Sequence, residues 1–145
     1  MLVVDTNVLV YAADKDSPFY SACRNWLEHR RVRADAWYTT WSVLYEFLRV
    51  TTHPRVMRRP WNISDAWRFI IGLLASPGLD LLIATQRHAE VAGQVIMELP
   101  QMGGNLLHDA HTAILMREHG IRRICTRNTD FHRFSFLEVI DPLQL

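Results

Sequence analysis

The chain alternates between short runs that are apolar throughout and longer runs in which apolar residues return every three or four positions. Leu2 to Val4 is of the first kind, the pattern of a strand buried on both faces. Ser17-Pro18 then reads as a helix start, an N-cap with proline at the first helical position, and Phe19, Cys23, Trp26 and Leu27 form one apolar stripe behind it. Ala36 to Thr39 suits a short strand, after which Thr40 or Ser42 caps a helix that carries Glu46 and runs to about Thr52, where His53-Pro54 stops it. Ser64-Asp65 opens the next helix, with Trp67, Ile70, Ile71 and Leu74 as its stripe and Pro77-Gly78 at its end. Leu79 to Ile83 suits a strand, and Ala92, Val95, Ile96 and Leu99 mark a helix before the loop of Pro100 and Gly103-Gly104. His108 to His119 reads as a helix ended by Gly120, followed by strands at Arg123 to Thr126 and Leu137 to Ile140.

Buried strands alternating with amphipathic helices imply an α/β fold, a parallel sheet covered by helices on both faces and wound with right-handed crossovers. Composition adds scale: 145 residues, 49% of them hydrophobic, are enough for one domain with its own core, expected to span residues 1–145. The two cysteines, Cys23 and Cys125, have no metal-ligand or redox-pair spacing and read as buried residues of a reducing compartment. No export signal opens the sequence. Arg68, Asp80, Gln86 and Arg87 interrupt its most apolar region before the roughly 18 residues of a membrane span accumulate, so a cytoplasmic location is expected.

The topology gives the acids their meaning. In a parallel sheet, ligands bind outside the carboxyl ends of the strands. Asp5 follows the first strand directly, and Thr126, Asn128 and Asp130 follow the strand at Arg123 to Thr126. Asp109 opens the helix leading into that strand, and such a helix runs antiparallel to it, so its N-terminus lies at the same edge. Each residue also has an ordinary explanation: turn capping for Asp5, the helix dipole for Asp109, loop termination for Asp130, and for Glu46 a pair with Arg49 one turn on. Together they conflict, because two carboxylates about 5 Å apart repel by about 3 kcal/mol at an effective dielectric near 20. Arg127 is the one basic residue inside these motifs, so a hard divalent cation or protonation is the expected compensation, and oxygen-only ligands select Mg²⁺ or Mn²⁺.

These residues in this order resemble the PIN-domain ribonucleases, and especially the VapC-like toxins of prokaryotic toxin–antitoxin pairs. The likeness spans the whole chain and rests on Val4-Asp5-Thr6-Asn7, on Glu46, on His108-Asp109-Ala110 and on Thr126-Arg127-Asn128-Thr129-Asp130-Phe131. It implies a PIN-like three-layer fold and an endoribonuclease that uses Mg²⁺, with Mn²⁺ as a substitute. Its acidic cluster would be Asp5, Glu46, Asp109 and Asp130: Asp5 and Asp109 as direct metal ligands, Glu46 and Asp130 acting through water, and Asn7, Thr126 and Asn128 in support. Many relatives carry an acid where Asn128 stands, which leaves open whether position 128 or Asp130 serves as the fourth. The resemblance also implies an RNA substrate cut to 5′-phosphate and 3′-hydroxyl ends, a cognate antitoxin and a homodimer.

Two other functions share part of this pattern. Haloacid-dehalogenase phosphohydrolases also open with an aspartate after the first strand but need a second two residues on, where this chain has Asn7. A non-catalytic RNA-binding protein has no use for converging acids in a phosphate groove. The net charge of +1 offers a polyanion no global attraction, so RNA contact is expected from local groups: Arg55, Arg58 and Arg59 beside Trp61, and His108 at the groove. Arg30, Arg31 and Arg33 form a second basic cluster. His108 and His111 flank Asp109 at one residue before and two after, spacings that point to different helix faces, and make a poor His-Asp-His metal site. Most tryptophans are expected in the core, and Trp67, Phe69 and Met57 are candidates for an oligomer surface.

Overall fold

The computed structural model describes residues 1–144. Five strands, β1 (Val3–Val4), β2 (Trp37–Thr39), β3 (Leu79–Leu81), β4 (Arg123–Cys125) and β5 (Glu138–Ile140), form one parallel sheet in the order β3-β2-β1-β4-β5. The chain builds outward from β1 to β3 and then returns to the other side of β1 for β4 and β5. The order therefore reverses between β1 and β4, the place where α/β sheets open a crevice.

Side-chain alternation sends the central strands into two cores. Leu2, Val4 and Cys125 join the core beneath α1 (Thr6–Ala13), α2 (Tyr20–Arg31), α3 (Trp41–Thr51) and α4 (Ile63–Leu74). Val3 and Ile124 join the opposite core with α5 (His88–Glu98) and α6 (Leu106–Glu118). This is the three-layer arrangement expected from the alternation of elements.

Several boundaries differ from the sequence reading for identifiable reasons. Ser17 does not cap α2; its hydroxyl accepts from Phe19 N–H in a turn, and the helix begins at Tyr20. Thr40, not Ser42, caps α3, accepting from Val43 N–H at 3.1 Å. Asn62 caps α4 by accepting from Asp65 N–H at 2.8 Å, so that helix starts before Ser64-Asp65. Its inward face is Ala66, Ile70 and Leu73, while Trp67 and Ile71 face out: small Ala66 permits close packing and the larger side chains are left on the surface. α5 turns Val91 and Val95 inward and leaves Ile96 exposed. Met57 is buried and Phe69 stacks on Phe47 at 4.8 Å, so of the three proposed surface residues only Trp67 is exposed.

α6 starts two residues before His108 and ends as expected. Gly120 takes φ 71°, its N–H reaches Arg117 C=O, and Ile121 N–H reaches Met116 C=O at 2.9 Å. That turn sends the chain directly into β4.

Candidate active site at the sheet edge

Asp5 leaves the end of β1 in an extended conformation, and its carboxylate does not turn back to cap α1. It is 7% exposed. Its Oδ2 accepts from the Thr126 hydroxyl at 2.8 Å and the Asn7 amide at 3.0 Å. Thr126, just after β4, is the hub of the arrangement: its oxygen also accepts from Asn7 Nδ2 at 2.8 Å and Asn128 N–H at 2.9 Å. Asn7 Oδ1 in turn accepts from Arg127 N–H at 3.0 Å. The backbone after β4 is thus tied to the start of α1.

Asn128 spans two of the acids. Its amide donates to Asp109 Oδ2 at 3.2 Å, and its Oδ1 caps the short 3-10 turn Thr129–Arg133 by accepting from Asp130 N–H at 3.0 Å. Asn128 therefore holds Asp109 as a donor, while exposed Asp130 sits farther out at the mouth.

Asp5, Asp109, Glu46 and Asp130 all line one groove of about 750 Å³, with Asn7, Asn128, Ser42, Asn105 and His108 also on its walls. The charges in it are unequal. Burial raises the Asp5 carboxyl above its ordinary value against the pull of Thr126, the adjacent Thr6 N–H and Asn7, and the charge of Glu46 adds to the rise. Asp109 is pushed up to about 6, by burial first and then by the charge of Asp5, with Asn128 opposing. Glu46 goes the other way, held down by the Arg49 guanidinium one turn along α3.

The structure therefore brings Asp5 and Asp109 together and leaves Glu46 in the groove but paired, the local fate that its spacing from Arg49 allows. Among the described residues, no three of His, Cys, Asp and Glu converge closely enough for a ready-made metal cage. Arg127, the one basic residue inside the acidic motifs, takes no part in the cluster. Its side chain turns away to lie over the Phe19 ring, 4.2 Å from the centroid, and to pair with Asp141 at 3.4 Å.

The basic and aromatic candidates are dispersed. Arg59 is bound to Asp16, and Trp61 packs edge-on against Phe47 and Phe69. Neither they nor Arg55 and Arg58 line the groove. His108 does, whereas His111 turns to the Ser42 hydroxyl, 3.0 Å away. Ser42, Asn105 and Arg49 were not singled out as groove residues, although Asn105 just ahead of a helix and Arg49 one turn from Glu46 were visible signals.

The PIN domain sequence profile matches residues 2–137. The chain belongs to the PIN-domain family. Among its PIN-domain relatives, Ribonuclease VapC37 of Mycobacterium tuberculosis is 33% identical over 135 residues, covering 93% of this chain and 92% of the relative. Ribonuclease VapC43 of the same organism is 34% identical over 143 residues, covering 99% and 96%. The PIN fold is also seen in M. tuberculosis VapC20, described as a sarcin-ricin loop cleaving toxin, with a TM-score of 0.68 at 17% identity, over 97% of this chain and 100% of that one. VapBC2 from Rickettsia felis, solved with a DNA fragment from its promoter, gives a TM-score of 0.68 at 19% identity over 96% of each chain. This chain is a VapC-type PIN domain, and among its described residues no helix is long and apolar enough to cross a membrane.

Proposed function

We propose that this PIN domain is the endoribonuclease toxin of a toxin–antitoxin pair and that Asp5 and Asp109 are its metal-binding carboxylates, with Mg²⁺ as the metal and Mn²⁺ as a substitute. The observation that carries the reading is the pair itself: a buried Asp5 and a half-buried Asp109, neighbouring carboxyls that burial raises above their ordinary values, both lining one groove. The donor set is oxygen throughout, which suits a hard divalent cation and fits this metal. Glu46 and Asp130, which line the same groove, would act through water.

When bound, the metal supplies a water of lowered pKa and neutralises charge developing on the phosphodiester. The chain's own groups set the stage for that chemistry. The Thr126 hydroxyl and Asn7 amide fix Asp5 through Oδ2, and Asn128 fixes Asp109 through Oδ2. Above about pH 6 the Asp109 carboxyl gives up its proton and presents full charge to a cation. His108 lines the groove wall, where it would meet a bound strand.

The family resemblance also supports a cognate antitoxin and a second copy of the chain as protein partners, in the cytoplasm. The direct test is cleavage of single-stranded or looped RNA by the purified protein with Mg²⁺ or Mn²⁺ and with EDTA. Cleavage that needs the metal and leaves 5′-phosphate and 3′-hydroxyl ends is expected. Undiminished cleavage in EDTA, or 2′,3′-cyclic phosphate ends, overturns the metal mechanism.

A further inference from the structure

Among the described residues that line the acidic groove, Arg49 is the only arginine or lysine. Its guanidinium closes on Glu46 through two hydrogen bonds, Nε to Oε2 at 3.0 Å and Nη2 to Oε1 at 2.5 Å, while its side chain stays 60% exposed. The other candidate cations are committed or distant. Arg127 lies on Phe19 against Asp141, Arg59 holds Asp16, and Arg55 and Arg58 are not part of the groove wall. A polyanion entering past four carboxylates therefore meets one fixed positive charge, on the α3 wall.

The pairing that occupies this charge is of the kind most easily exchanged. Glu46 and Arg49 are three residues apart on one helix and solvent reaches both, so little is lost when they part. An RNA phosphodiester presents to a guanidinium the same two-oxygen fork and the same single negative charge as a carboxylate. Glu46, once released, faces the groove that also holds Asp5 and Asp109.

We infer that Arg49 is the phosphate-binding residue of this groove, passed from Glu46 to a phosphate of the bound strand, and that the same exchange frees Glu46 to join the acidic cluster. The inference rests on the ribonuclease reading above, since it takes RNA as the ligand. It adds a substrate-binding residue and a reason for the Glu46–Arg49 pair: the groove keeps its cation neutralised until RNA displaces the carboxylate.

The test is fluorescence anisotropy of a short labelled single-stranded RNA, in EDTA so that nothing is cleaved, across a series of NaCl concentrations. The full chain is compared with Arg49→Met, Arg49→Lys, Glu46→Gln and the double variant Glu46→Gln/Arg49→Met. One lost phosphate contact makes the slope of log affinity against log salt shallower by about 0.7, and this is expected for Arg49→Met, with Arg49→Lys keeping the wild-type slope. Glu46→Gln, which frees Arg49 in advance, is expected to tighten binding several-fold, and the gain should disappear in the double variant. Equal slopes for wild type and Arg49→Met overturn the inference. So does a Glu46→Gln gain that persists without Arg49, which would reduce the effect to simple charge repulsion. If the wild type fails to bind this RNA at low salt, the inference also falls; Mg²⁺-dependent cleavage by that same protein then leaves the ribonuclease reading standing, and its absence removes both.

Discussion

Replacing Asp109 with Asn should stabilise the metal-free protein. The wild-type carboxyl is raised from 3.8 to about 6 by burial and by Asp5, roughly two units, and each unit corresponds to about 1.36 kcal/mol. Because solvent reaches part of this side chain, about half of that, 1–2 kcal/mol, is a sounder expectation. Asp109 also lies in the first turn of α6, where loss of its charge forfeits about 0.5 kcal/mol of interaction with the helix dipole. Asn keeps an oxygen for the Asn128 amide. The net gain is about 1 kcal/mol, or about 3 °C in melting temperature for a chain of this size. Its pH dependence follows from the direction of the shift. The folded carboxyl keeps its proton to higher pH than the unfolded one, so the wild type loses stability as pH rises from 3.8 through 6 and carries the full penalty above that. Thermal unfolding in EDTA should therefore show Asp109→Asn melting higher at pH 7.5 and the two proteins converging near pH 4. Saturating Mg²⁺ should raise the wild type by about 2.7 kcal/mol at a hundredfold excess over its Kd, and the variant far less. A variant that melts lower at pH 7.5 without metal, yet keeps the metal shift and RNA cleavage, would show that Asp109 is only a helix-start residue.

Thr126→Val preserves shape but deprives Asp5, Asn7 and Asn128 of their shared partner; urea unfolding should show a loss of about 2 kcal/mol, and RNA cleavage should fall with it. Gly78→Ala would bring a Cβ within 2.2 Å of the Asp35 carbonyl oxygen, so it should cost about 1–3 kcal/mol in the same assay although it lies outside the groove. Cleavage at fixed, subsaturating Mg²⁺ should rise with pH through about 6 as Asp109 ionises, which a pH–rate profile reads directly. Expression of the wild-type chain should slow growth and Asp5→Asn should not; equal effects of the two on growth curves would detach growth arrest from the acidic site.

Parallel topology alone was enough to place Asp5, Asp109 and Thr126 at one edge from sequence, because a strand end and the start of a returning helix leave few choices. The helix Thr6–Ala13 was not legible. Five of its eight residues are buried, so it has no polar face and shows no period. The inward face of α4 differs from its periodic stripe because periodicity weights large side chains, whereas the core takes small Ala66 with Ile70 and Leu73 and leaves Trp67 and Ile71 in solvent. In the site, the Glu46–Arg49 pair was readable as a local spacing. The direction taken by Arg127 was not, since it depends on Phe19 and Asp141, residues distant in sequence that only the folded chain brings near.

The outer strands of the sheet, β3 and β5, are three residues long, with Asp80 and Glu138 among them. Strand edges this brief and acidic are poor templates for another polypeptide backbone. The sheet is thereby guarded against edge-to-edge aggregation. The apolar side chains the fold leaves in solvent lie instead on helix surfaces such as the outward side of α4, where Ile63, Trp67 and Ile71 stand exposed.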